Sequence, residues 1–128
     1  MIDPLPPYAE LLALRPIRSD EGELIWVMPF RPEVIGRPGF LHGGAIAGLL
    51  EFAALGAVHE ALKDEDVRIK PINVTCQYLR GGVEHDTYAC AVIERLGRRV
   101  ANVGAHAWQH NRAKPIASAQ MNLLLRRG

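Results

Sequence analysis

Between Pro38 and Val58 the chain reads PGFLHGGAIAGLLEFAALGAV, and Glu51 is the one Asp, Glu, Lys or Arg in that stretch. The spacing predicts a long helix from about Gly43 to Leu62 with apolar residues nearly all the way round. That is the pattern of a helix enclosed by protein on most sides, so the rest of the fold has to be built around it. A carboxylate in such a helix must sit at an edge, find a partner or protonate, because burying it unpaired costs several kcal/mol. It is then either an acid that looks out at solvent or a distant arginine, or one whose basicity is tuned for chemistry. Three local features favour the second reading. Gly43-Gly44 lets other backbone approach closely, the helix N-terminus offers free N–H donors to developing negative charge, and the surroundings are apolar throughout.

The 128 residues suffice for one core and one domain, spanning 1–128, and are too few for two ordinary domains. With 15 basic and 14 acidic side chains the formal charge is +1, which argues against a surface specialised for nucleic acid and leaves small anions as the polyanions to expect. The N-terminal MIDPLPPYAELLALRPIRSD lacks the basic, apolar and small-residue regions of a secretory signal, so a cytoplasmic location is expected. Pro38–Val58 is the one membrane candidate. Its acid falls mid-segment, it carries five glycines, and its apolar core is short against the roughly 20 residues needed to span, so a buried helix and no membrane partner are expected. Cys76 and Cys90 read as reduced core thiols on paired strands, near one another across a hairpin. His106 and His110 fall in a strand-like alternation and match no metal-ligand pattern, so no metal is expected.

Along the chain, Pro7–Leu14 reads as a short amphipathic helix with Tyr8, Leu11, Leu12 and Leu14 on its apolar side, and residues 1–21 as a helical lid. Glu23–Phe30 reads as a first strand, with Pro29 either marking an edge or ending it early. Arg31–Leu41, with two prolines and two glycines, is an irregular connection into the helix. The charged Lys63-Asp64-Glu65-Asp66 closes the helix. Four strands follow, Ile69–Leu79, Glu84–Leu96, Arg98–Gln109 and Pro115–Leu125, punctuated by Gly81-Gly82, Gly97 and the segment HNRAK. The expected architecture is α+β, an antiparallel sheet of five or six strands wrapped around one long central helix.

Gly39-Phe40-Leu41-His42-Gly43-Gly44, then Glu51 nine residues after the histidine, then Tyr78-Leu79-Arg80 opening the strand run, resembles the hotdog-fold acyl-CoA thioesterases over residues 22–125. Within them the chain is most similar to the group that includes phenylacetate-pathway thioesterases and one branch of 4-hydroxybenzoyl-CoA thioesterases. The resemblance implies that Glu51 is the catalytic carboxylate, as general base or as nucleophile. It implies that the Gly43 backbone N–H is the oxyanion donor, that His42 is either catalytic or shapes the loop beside the site, and that Gly44 contacts the substrate. It places Asn73 and Tyr78 at the CoA moiety and Arg95, Gly97, Arg98, Arg99 and Val100 at its nucleotide. Three guanidiniums around a glycine turn suit phosphates, although they also suit an ordinary solvated hairpin. No cofactor is implied, coenzyme A being part of the substrate. The family forms its active site between subunits, so a homodimer or homotetramer is implied.

Two positions depart from the family pattern. Gly36, six residues before the histidine, stands where many members carry Asn or Gln, and the Ser or Thr that relatives carry four residues after the acid or on the following strand falls here at Leu55 or near Ile69 to Pro71. Thr75 would substitute only with a shifted register. The leading expectation is therefore hydrolysis of a small, medium-chain or aromatic acyl-CoA. Gly36 and Leu55 keep a non-catalytic acyl-CoA or acyl-thioester binding protein as the alternative, and an enoyl-thioester hydratase or dehydratase using His42 and Glu51 as a third. Gly44, Ala47 and Gly48 leave room beside the acid, and Phe40, Phe52 and Trp26 are candidates for lining an aromatic pocket. Coenzyme A and acyl carrier protein both remain open as the carrier.

Overall fold

The computed structural model describes residues 5–128, so the first four residues of the expected lid lie outside the described part. In chain order the elements are α1 (Pro7–Leu11), β1 (Arg15–Arg18), β2 (Leu24–Met28), a 3-10 turn (Pro32–Val34), α2 (Gly43–Ala61), β3 (Val67–Tyr78), β4 (Thr87–Leu96), β5 (Val100–Trp108) and β6 (Ala117–Arg127). The six strands form one antiparallel sheet in the order β1-β2-β4-β5-β6-β3, and α2 is packed against its inner face: the hotdog arrangement.

Period-two patterning builds this inner face. Ala101, Val103, Ala105 and Ala107 of β5 and Ala117, Ala119, Met121, Leu123 and Leu125 of β6 are buried, while the residues between them are half-buried or exposed on the other side. The alanines let α2 lie close to the sheet, and Leu49, Leu50 and Val58 of α2 fill the space between with no exposed surface. Each such side chain contributes roughly 1.5–3 kcal/mol relative to exposure. Trp26 and Phe52 meet edge-to-face at 4.7 Å, which buries both in the core rather than in an acyl pocket. A Cβ on Gly56 would lie 2.9 Å from Trp26 Nε1, so the glycine there makes room for the indole.

Several expectations need correction. The apolar side of α1 is Ala9 and Leu12, with Leu14 following. Leu11 faces out and Tyr8, half-exposed, lays its ring on α2 at Gly48, because the helix lasts only one turn and the chain then reverses through Ala13 at φ 56°. The stretch assigned to the lid also contains β1, which joins the sheet beside β2, so β2 is not an edge and Pro29 simply follows its end. Cys76 and Cys90 are both free thiols, but they are not cross-hairpin neighbours. β3 pairs with β6 and β4 with β5, so two strands separate them, roughly 14 Å at the usual strand spacing.

The reason is the connection at Gly81-Gly82, which is a crossover rather than a hairpin. It runs past the ends of β5 and β6, with the Leu79 and Arg80 N–H groups donating to the Ile116 carbonyl oxygen and Gln109 bonding both polar groups of Val83. The crossover leaves β3 as a free sheet edge of twelve residues. Ile72, Tyr78 and Leu79 are each about half exposed along it.

Candidate active site

The start of α2 is assembled from four residues. His42 is the N-cap, in extended conformation (φ −69°, ψ 131°), and its Nδ1 accepts from the Gly44 N–H at 2.8 Å. An acceptor Nδ1 carries no proton, which puts the proton of the neutral ring on Nε2. The His42 carbonyl oxygen accepts from the Ala45 and Ile46 N–H groups. Gly43 N–H is left as the helix's first donor, with no acceptor among the described residues. A free N–H at the positive end of a 19-residue helix is suited to a developing oxyanion.

Two tyrosines hold this turn from outside. The Tyr78 hydroxyl donates to the Gly43 carbonyl oxygen at 2.9 Å, and its ring would lie 3.4 Å from a Cβ on Gly43. The Tyr8 hydroxyl donates to the Gly44 carbonyl oxygen at 3.4 Å, and its ring lies over Gly48, where a Cβ would come within 2.6 Å. Gly44 and Gly48 are thus close-approach positions as well as helix residues, whereas a Cβ on Gly43 would only reach ordinary contact with the Tyr78 ring.

Glu51 lies on the same helical face as Gly44, Ala47 and Gly48, one further turn along, and is half-buried. It makes no hydrogen bond or ion pair with another side chain among the described residues. Its charge is felt by Cys76 of β3. Burial, and then the Glu51 charge, push the Cys76 thiol above its ordinary range. Burial, and then Cys76, do the same to Tyr78, which keeps the phenol a neutral donor. Neither tyrosine contact nor the Cys76 approach has a signal in the local sequence, since each joins segments far apart in the chain.

Gly36 acquires a physical reason. A Cβ there would lie 2.9 Å from His42 Cα, while the Gly36 N–H donates to the Phe40 carbonyl oxygen and the His42 N–H to that of Val34. The loop that delivers the cap to α2 is too tight for the Asn or Gln expected from relatives. Leu55, half-buried on the Glu51 face, offers no hydroxyl to a water. Phe40 is stacked beneath Arg37, whose guanidinium carbon lies 4.4 Å from the ring centroid.

The residues assigned to the nucleotide lie elsewhere. Arg98 and Arg99 share a cleft of about 510 Å³ with Arg68, Leu124, Leu125, Arg126 and Arg127. Arg68 and Arg126 face each other across β3 and β6, a like-charge pair that disfavours the sheet unless an anion joins it. Sequence reading missed both, because only strand pairing makes them neighbours. Gly97 is a turn position, since a Cβ would lie 2.8 Å from the Val100 carbonyl oxygen. Arg95 is exposed beyond a bulge in β4 and does not line the cleft. Tyr78 is level with Ala117 of β6 and Val100 with Leu124, so the arginine end is roughly 24 Å along the sheet from Tyr78. One chain does not bring the arginines to its own Glu51. Asn73 is on the outer face of the sheet, where its Oδ1 accepts from Asn122, which in turn accepts from Asn102.

A second ionisable cluster is structural. Arg112 grips both Glu23 carboxylate oxygens at 2.6 Å and caps Cys90 Sγ at 2.7 Å. The arginine holds Glu23 down to about 2, while burial and the neighbouring Glu23 push the Cys90 thiol up to about 12, an unreactive state. Burial and then Arg112 lower the His106 pKa, so its neutral Nε2 accepts from Arg112 Nε at 3.1 Å. Among the described residues no three His, Cys, Asp or Glu side chains are placed to hold a metal ion.

The sequence model of the thioesterase superfamily matches residues 38–116. No curated protein matches the chain at a significant level. Among solved structures, a protein from Chromobacterium violaceum is 33% identical, with 92% of this chain and 82% of that one covered and a TM-score of 0.74. A Bacillus halodurans protein crystallised with CoA superposes with a TM-score of 0.88 at 20% identity, covering 99% of this chain and 83% of its own. A phenylacetic acid degradation-related protein from Ralstonia eutropha JMP134 gives 0.82 at 24% identity, covering 94% and 91%.

Proposed function

This chain belongs to the thioesterase superfamily, and from that premise we propose that it hydrolyses a small, medium-chain or aromatic acyl-CoA to the free acid and coenzyme A. The observation that carries the reading is the start of α2. Among the described residues the Gly43 N–H has no acceptor at a capped helix N-terminus, and the Glu51 carboxylate, with no side-chain partner among them, stands two turns along the same helix. The thioester carbonyl oxygen takes the Gly43 N–H. Glu51 either removes a proton from an attacking water or attacks the carbonyl itself, and the tetrahedral oxyanion collapses with loss of CoA thiolate; on the second route the acyl–Glu51 anhydride so formed is then hydrolysed by water, which releases the acid and restores the carboxylate. His42 caps the helix through Nδ1, which makes it a shaping residue rather than the reacting one.

The nucleotide is assigned to the arginine end of a second copy of the chain. β3 is a long free edge, and beside it the face of α2 around Ala47, Glu51 and Leu55 is incompletely covered. Antiparallel pairing of two β3 strands about their middles extends the sheet and covers both helices. It also carries the arginine end of one copy toward the Tyr78 end of the other. Asn73, at the bulge near the middle of β3, falls close to that junction.

Leu55 and Gly36 favour one second reading, an acyl-thioester binding protein with poor turnover, since neither offers a polar group to water. Thiol release from a panel of aryl and straight-chain acyl-CoAs, with wild type beside Glu51→Ala, decides between them. Turnover that disappears in the variant is expected. Absence of turnover on every ester, with binding retained, would move the assignment to the binding protein, and full activity in Glu51→Ala would remove the carboxylate from the chemistry.

A further inference from the structure

The contact between Tyr78 and Gly43 has a use that a CoA-contacting tyrosine would not need. Two successive glycines open α2, and neither restrains its own backbone. The peptide joining Gly43 to Gly44 is nonetheless held at both ends: its N–H by His42 Nδ1 at 2.8 Å, its carbonyl oxygen by the Tyr78 hydroxyl at 2.9 Å. The preceding peptide, which carries the free Gly43 N–H, is held through the His42 carbonyl oxygen. The Tyr78 ring also lies beside Gly43, 3.4 Å from where a Cβ would stand, and 55% of the residue is exposed, so the burial gained by docking it there is modest.

We infer that Tyr78 is a positioning residue for the oxyanion donor: its hydroxyl, on the Gly43 carbonyl oxygen, fixes the first turn of α2 so that the Gly43 N–H points at one place. The inference rests on the thioesterase reading above. Donors aimed in advance stabilise a transition state because they need no reorganisation when charge develops, and a mobile glycine turn lacks that property. A positioning role predicts an effect on kcat that does not depend on the nucleotide. A contact to CoA predicts an effect on KM that does.

The test compares wild type and Tyr78→Phe on one acyl group presented two ways, as its CoA ester and as its N-acetylcysteamine thioester, which lacks the nucleotide. Tyr78→Phe should lower kcat about tenfold, or about 1.4 kcal/mol of barrier, on both esters, with KM and the melting temperature nearly unchanged. Tyr8→Phe, which removes the longer bond to the Gly44 carbonyl oxygen, serves as the comparison and should stay within about twofold of wild type. A rise in KM for the CoA ester alone would overturn the inference in favour of a CoA contact. Equal losses in both tyrosine variants, tracking a lower melting temperature, would overturn it in favour of general support of the helix. If wild type turns over through Glu51 and Tyr78→Phe keeps full kcat, this inference alone fails; if wild type hydrolyses neither ester, it falls together with the thioesterase reading.

Discussion

Gly43 occupies the first helical position of α2, where the backbone N–H has no intrahelical acceptor. Proline is well tolerated there, because its ring sets a helical φ and the N–H it lacks was unpaired in any case. The preceding residue must be extended, and His42 already is, at φ −69° and ψ 131°. Gly43→Pro therefore removes the proposed oxyanion donor while leaving the cap, the helix and Glu51 in place. The expected outcome is a fall in kcat of roughly 10²–10³, the usual effect of losing one such donor, with a melting temperature close to wild type. Steady-state kinetics beside thermal unfolding read both quantities, and an active Gly43→Pro would take the donor role away from this N–H. At this scale the sequence was informative wherever the site is local: His42, Gly43 and Glu51 lie on one helix and its cap, so spacing alone places them. Tyr78 meets Gly43 across 35 residues of chain, and no local pattern reports that contact.

At the scale of elements, α2 was legible as a long apolar run, β5 and β6 by their period-two alternation, and β2 to β4 by β-favouring residues between turn signals. Their order in the sheet was not, since an alternating strand says which side is apolar and nothing about which neighbour it pairs with. That is why β3 read as the start of a meander and in fact pairs with β6. β1 was missed for a different reason. Arg15-Pro16-Ile17-Arg18 is an edge strand with arginines at both ends and a proline inside, features that protect an edge and hide a strand. The phase of α1 was misread because one turn is too short for a period to establish itself. Its C-terminal reversal contains a removable strain. Ala13 adopts φ 56°, its N–H donates to the Glu10 carbonyl oxygen, and the Leu14 N–H donates to that of Ala9. A left-handed conformation costs a non-glycine residue roughly 1–2 kcal/mol, partly offset in a glycine variant by greater freedom in the unfolded chain. Ala13→Gly should accordingly raise stability by up to about 1 kcal/mol, seen as a higher urea midpoint with unchanged slope. A lower midpoint would mean that the Ala13 methyl group contributes more than its conformation costs.

At the scale of the whole molecule, the distance between the two ends of the sheet is the main constraint. Gly43 is held by Tyr78 at one end, while Arg68, Arg98, Arg99 and Arg126 gather roughly 24 Å from Tyr78 at the other, and among the described residues Arg127 alone of the cleft's arginines pairs with a carboxylate, that of Glu65. If a second copy supplies the arginines, each site takes its carboxylate from one chain and its phosphate contacts from the other. Two damaged proteins can then repair each other. In a mixed dimer of Glu51→Ala with an Arg98→Ala, Arg99→Ala double variant, one site carries both defects and the other carries neither. Random reassortment makes half the dimers mixed, so mixing the two inactive preparations should restore about one quarter of wild-type activity at low acyl-CoA concentration. The arginine defect on its own should raise KM for CoA esters and leave truncated thioesters largely unaffected, which is why the assay must be run well below saturation. If each chain instead served its own site, every site in the mixed dimer would keep one defect and mixing would restore nothing.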